Sequence, residues 1–115
     1  VTVVANALDQ LCVDLTAMGV RATQDPREVN APGAWVLPVK AQSHYLAGGV
    51  VIEVDVYLIA PDHGYQRSTR VLSELFDLTR SLVDIEDTSF VDAITLPAGG
   101  APLPAWRITT TLQIC

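Results

Sequence analysis

The sequence predicts an α+β fold: two amphipathic helices packed on one face of a four- to five-stranded, mainly antiparallel sheet. Three observations lead there. Apolar residues recur at helical spacing in two separate stretches, near residues 3–18 and 66–83. A strictly alternating strand, residues 50–59, lies between them. Neighbouring strand-like runs are joined by short connectors, as in antiparallel or mixed sheets and unlike doubly wound parallel ones. The chain has 115 residues and is 50% hydrophobic, which fits a single domain spanning 1–115. A chain this long buries roughly 65% of its unfolded surface, enough for one core without disulfides or metal.

Each element has its own signal. In the first helix Val3, Val4, Ala7, Leu8, Leu11, Cys12, Leu15 and Met18 form one stripe, with Asp9, Asp14 and Thr16 on the other side. Thr2 suits the N-cap, and Gly19 suits the left-handed position that ends a helix. Val20–Thr23 reads as a short strand, and Asp25-Pro26 as the turn after it, because proline bars the helical region to its predecessor. Residues 30–33 form a second break. Residues 35–40 alternate with Trp35, Leu37 and Val39 on one side, and Pro38 places this strand at a sheet edge or a bulge. Residues 41–49 read as a connector ending in two glycines.

The clearest strand follows. Val50, Ile52, Val54, Val56 and Leu58 point one way and must meet a core. Val51, Glu53, Asp55, Tyr57 and Ile59 point the other, which sets two carboxylates mid-strand on a face that meets water or a polar partner. Pro61 stops the strand. The second helix runs from about Gln66 to Val83, burying Val71, Leu72, Leu75, Phe76, Thr79, Leu82 and Val83. Arg70 and Glu74 make an (i, i+4) pair worth ~0.3 kcal/mol. Residues 84–89 read as a polar turn. Residues 90–96 and 103–114 read as the last two strands, joined by the Pro/Gly connector 97–102. In the final strand Trp106, Ile108, Thr110, Leu112 and Ile114 share one face, while Arg107, Thr109, Thr111 and Gln113 share the other.

Composition narrows the function. Seven basic against 13 acidic residues give a net charge of −6, and Lys40 is the sole lysine. Nucleic-acid gripping rests on phosphate neutralisation by Lys and Arg, so a DNA- or RNA-gripping module is not expected. Cys12 and Cys115 stand far apart and form neither a disulfide framework nor a metal pair with His44 or His63. The first residues lack a basic leader, and no apolar run approaches the ~20 residues of a membrane span. The expectation is a soluble intracellular protein or a component assembled inside a cell, with no membrane contact.

Catalytic templates fail on residue type. No Gly-x-Ser-x-Gly elbow occurs, and neither glycine pair opens a helix as a phosphate loop would. His63 beside Asp62 has the makings of an oriented base, yet Asp62 or a neighbour capping the second helix, with a solvated imidazole, is the simpler reading. Glu53 and Asp55 share a strand face, but a hard cation needs more oxygen ligands than that segment offers. The expectation is a protein without catalytic residues, cofactor or metal. What stands out is apolar and aromatic matter in connectors: His44, Tyr45 and Leu46 in one, Leu103 and Pro104 in the other. Loops of that kind occur where subunits meet or where a connector folds back on its own fold.

Several segments together carry a family resemblance. Leu15-x-x-x-Gly19-Val-Arg21-Ala, Asp25-Pro26-Arg27-x-Val-x-Ala31-Pro32 and Trp35-Val-Leu-Pro-Val come first. Val54-Asp-Val-Tyr57-Leu-Ile-Ala-Pro61 and the helix around Val71-Leu-x-x-Leu75 follow. This progression resembles tail terminator proteins of long-tailed, siphovirus-type actinobacterial phages, over most of the chain and through short apolar motifs. The resemblance implies a small virion subunit, assembled in the host cytoplasm, that forms a homohexameric ring at the head-proximal end of the tail. Such a ring stops polymerisation of the tail tube protein, meets the head–neck connector protein, and lets DNA pass its lumen without specific binding. On that view Glu53, Asp55 and Arg107 face the lumen or an intersubunit seam. His44, Tyr45, Leu46, Leu103 and Pro104 then touch partners. Alternatives are another neck or tail-tube subunit, and a small ligand-binding or enzymatic α+β domain.

Overall fold

The computed structural model describes residues 3–29, 31–44, 49–62, 64–90, 94–97 and 102–114. Helix α1 (Val3–Ala17) leads into β1 (Ala22–Thr23), a 3-10 turn (Pro26–Glu28), β2 (Gly33–His44) and β3 (Gly49–Ile59). Helix α2 (Tyr65–Leu82), β4 (Ile85–Ser89) and β5 (Ala105–Ile114) complete the order. The five strands form one mixed sheet in the order β1-β2-β3-β5-β4. Every neighbouring pair is antiparallel except β1 with β2. This is the α+β architecture read from the sequence, with both helices packed against the sheet.

The core lies between helices and sheet. Leu8, Leu11 and Leu15 of α1 and Leu72 and Leu75 of α2 meet Ala34, Val36, Ile52, Val54, Val56, Leu58 and Ile108. The strand residues keep one parity along each strand, so period-2 alternation alone delivers them to one layer. Helix α1 ends in a Schellman motif. Val20 N–H donates to the Leu15 carbonyl at 2.9 Å and Gly19 N–H to Thr16 at 3.1 Å, with Gly19 at φ 100°. Val20 then drops into the core, fully buried. Helix α2 begins at Gly64, whose side chain can supply no cap; Ser68 Oγ instead donates to the Pro61 carbonyl at 2.9 Å. Asp62, one of the residues expected to cap this helix, is exposed, and the helix N-cap, Gly64, makes no side-chain cap bond.

The structure departs from the expected boundaries in three places and from one expected ion pair. Residues 41–44 and 49 are strand, not connector: Ala41 pairs with Ile52 and His44 with Gly49, because β3 extends back far enough to give them a ladder. Residues 85–89 are strand β4 instead of a polar turn. An edge strand needs one ladder partner and few buried side chains, so the charged segment 84–89 still pairs with β5. Residues 90–96 form no strand among the described residues; Ile94 makes one isolated bridge to Leu103. The expected Arg70–Glu74 ion pair is not formed, whereas Arg80 and Asp77 stand 3.7 Å apart. The predicted irregularity at Pro38 is present as a bulge between Pro38 and Lys40.

Candidate functional site

The helices leave the other sheet face uncovered, and the candidate site is built there. Trp35 and Leu37 of β2, Glu53, Asp55 and Tyr57 of β3, and Arg107, Thr109 and Thr111 of β5 share its parity through the strand register. All of them are half-buried. One end of the face is closed by the chain itself. Val29, Ile59 and Ala105 form a second buried cluster, flanked by Ala31, Trp35, Tyr57, Ile94, Leu96 and Leu103. Trp35 and Tyr57 stack at 5.2 Å with planes 25° apart, and Trp35 Nε1 donates to the Gln24 carbonyl at 3.1 Å.

The rest of the face is polar and acidic. Thr109 Oγ1 donates to Asp55 Oδ1 at 2.9 Å, and Thr111 Oγ1 donates to Glu86 Oε1 at 2.5 Å. Glu53 lies between Lys40 and Thr111 in the register, and Asp87 is paired with Thr109. Four carboxylates from β3 and β4 thus border the same hydroxyl row. Arg107 sits between Tyr57 and Ser89 in the register; its Nη2 donates to Ser89 Oγ at 3.2 Å. Its Nε is buried and has no hydrogen-bond partner among the described residues. Glu53, Asp55 and Arg107 make no ion pair among those residues.

No three His, Cys, Asp or Glu side chains among the described residues converge on a point where a metal ion could bind. The carboxylates are spread along two strands; Asp55 and Glu86 accept from threonine hydroxyls and Asp87 from the Thr88 N–H. Of the expected partner loops, Tyr45 and Leu46 lie outside the described residues, as does His63. His44 closes the β2–β3 ladder. Leu103 packs into the second cluster, its N–H and C=O both bonded to Ile94 at 2.8 Å, and the Pro104 carbonyl accepts from Ala60 N–H at 3.0 Å. Leu103 and Pro104 are thus folded back on their own sheet.

Sequence reasoning missed Glu86 and Asp87, since their segment was read as a turn. It also missed Phe90, 71% exposed beside β4, whose ring meets Trp106 edge-on at 5.0 Å. The segment 84–89 carries almost no strand signal of its own, and Phe90 was expected to open a separate strand. No helix among the described residues is long and apolar enough to cross a membrane. The fold and face together define a two-layer α+β protein with an acidic, uncovered sheet surface. No protein-family model matches the chain, and no curated protein matches it significantly.

Proposed function

We propose that this chain is a structural subunit of a phage tail terminator, assembling as a homohexameric ring that caps the head-proximal end of the tail tube. In this reading the uncovered sheet face lines the lumen, the helices face outward, and no bond is made or broken. The observation that carries it is the acidic face itself: Glu53, Asp55, Glu86 and Asp87 border one surface of three adjacent strands. Duplex DNA carries one negative charge per ~1.7 Å of its axis, so an acidic wall keeps a passing genome from sticking. The hydroxyls of Thr109 and Thr111 hold two of the carboxylates in place, so the charge belongs to the sheet and not to mobile side chains. The tube protein and the head–neck connector protein are the partners at the two ends of the ring.

Imaging of intact particles carrying a labelled copy tests the proposal. A single ring at the top of the tail supports it, and particles lacking the subunit should bear overlong, headless tails. Label stacked along the tail would instead make the chain a tube subunit. Absence from the particle would end the structural reading altogether.

A further inference from the structure

The two edges of the sheet are unlike each other. Along β4 stand Glu86 and Asp87, both exposed, followed by Phe90 at 71% exposure. At the opposite edge, β1 and β2 present Arg21 and Lys40, both exposed, and Val39 at 51% exposure. Neither Arg21 nor Lys40 makes an ion pair among the described residues. One edge is therefore acidic with an aromatic end, and the other is basic with an apolar bulge.

We propose that these edges are the two halves of one heterologous seam, with the β4 edge of one copy docking on the β1–β2 edge of a second copy of this chain. The seam rests on the ring proposed above, which supplies its setting. Charge complementarity argues for a second copy as the occupant, and the register sharpens the match. Lys40, Glu53 and Thr111 lie on one row across β2, β3 and β5, and Thr111 is bonded to Glu86. Ala22, Ala34, Leu58 and Trp106 lie on another row, and Phe90 stands beside Trp106. Copies set side by side without slip along the strands bring Lys40 to Glu86 and the Ala22 end of β1 to Phe90.

The seam runs through side chains and not through a continuous backbone ladder. Ala34 N–H donates outward to the Arg21 carbonyl at 2.7 Å, so Pro38, of the same parity, occupies an outward slot that has no N–H to give. Bulges at Pro38/Lys40 and at Ile85/Asp87 interrupt both outer strands. Because each copy uses two different surfaces, the contact propagates head to tail and closes into a ring when the rotation allows.

The test uses Lys40→Glu and Glu86→Lys, both at exposed positions that leave the core untouched. Each variant alone places like charges across every seam and should associate about tenfold or more weakly than the parent chain by sedimentation. A 1:1 mixture restores opposite charges at every seam and should associate like the parent chain. Cysteines at the same two positions, in a Cys12→Ser/Cys115→Ser background, should cross-link between copies. Single variants that associate like the parent, or a mixture that stays as weak as its components, would overturn the seam. So would a parent chain that stays monomeric at every concentration. If such variants still form one ring at the tail top, the ring stands and only the seam falls.

Discussion

Asp25 shows how much one side chain organises. Its Oδ1 accepts from Arg27 N–H at 3.0 Å and from Arg27 Nε at 3.3 Å, closing the turn that carries the chain from β1 towards β2. The backbone bond from Arg27, with help from its side chain, holds this carboxyl below the ordinary 3.8. A depressed carboxyl favours the folded turn above the unfolded value, and that preference is lost as pH falls through the folded one. Chemical shifts of Arg27 N–H should therefore titrate below the usual aspartate range, and Asp25→Ala should abolish the transition. Cys12 is shifted the other way. Burial, then the nearby Asp9 charge, raises its thiol above 9.0, so at pH 8 it should alkylate more slowly than a free thiol. The buried Thr110 donates Oγ1 to the Asp84 carbonyl at 2.5 Å, tying the start of β4 to β5. Thr110→Val should cost about 1 kcal/mol in urea unfolding. The apolar partners of these residues were legible from spacing. The hydroxyl bonds were not, because a threonine on a strand reads as β-former before it reads as donor.

At the scale of elements, legibility follows how many independent signals a segment carries. Helix α1 has a stripe, a glycine stop and a buried residue after it, and its end lies where Gly19 predicts. Gly19→Ala should cost roughly 1 kcal/mol from its positive φ, since Leu78 Cδ1 is 3.8 Å from the added methyl and offers no clash. Strand β4 carries almost no signal of its own. Its sequence, Ile-Glu-Asp-Thr-Ser, is strand only because β5 offers a ladder. Tertiary context decides such segments. Strand β2 is legible in the middle and not at its end, for the same reason. Pro38 there has a second use, as a guard on a long open edge. Pro38→Val should keep the fold, yet supply the missing outward N–H and raise light scattering on storage at high concentration.

For the whole molecule the decisive feature is where charge sits relative to the layers. The helices and the sheet enclose the apolar core, and four of the 13 acidic residues, Glu53, Asp55, Glu86 and Asp87, lie on the uncovered face and along the β4 edge. The −6 net charge was legible from composition, but the contribution of Glu86 and Asp87 to this face required knowing that residues 85–89 join the sheet. Two kinds of substitution separate the jobs assigned to this charge. Glu53→Lys with Asp55→Lys shifts each site by two charges and brings the chain to −2 (−6 + 4) without touching either sheet edge. On the proposed ring reading, tails should still assemble and join heads, since both seam edges are intact, but a lumen lined by this face would attract phosphates. DNA release from such particles should slow and infectivity should fall, while Glu53→Gln with Asp55→Asn, which removes charge and keeps shape, should have the smaller effect. Lys40→Glu should fail earlier, at ring closure, leaving tails without heads. Normal DNA release from the double lysine variant would remove the lumen from the face and leave it as an ordinary solvated sheet.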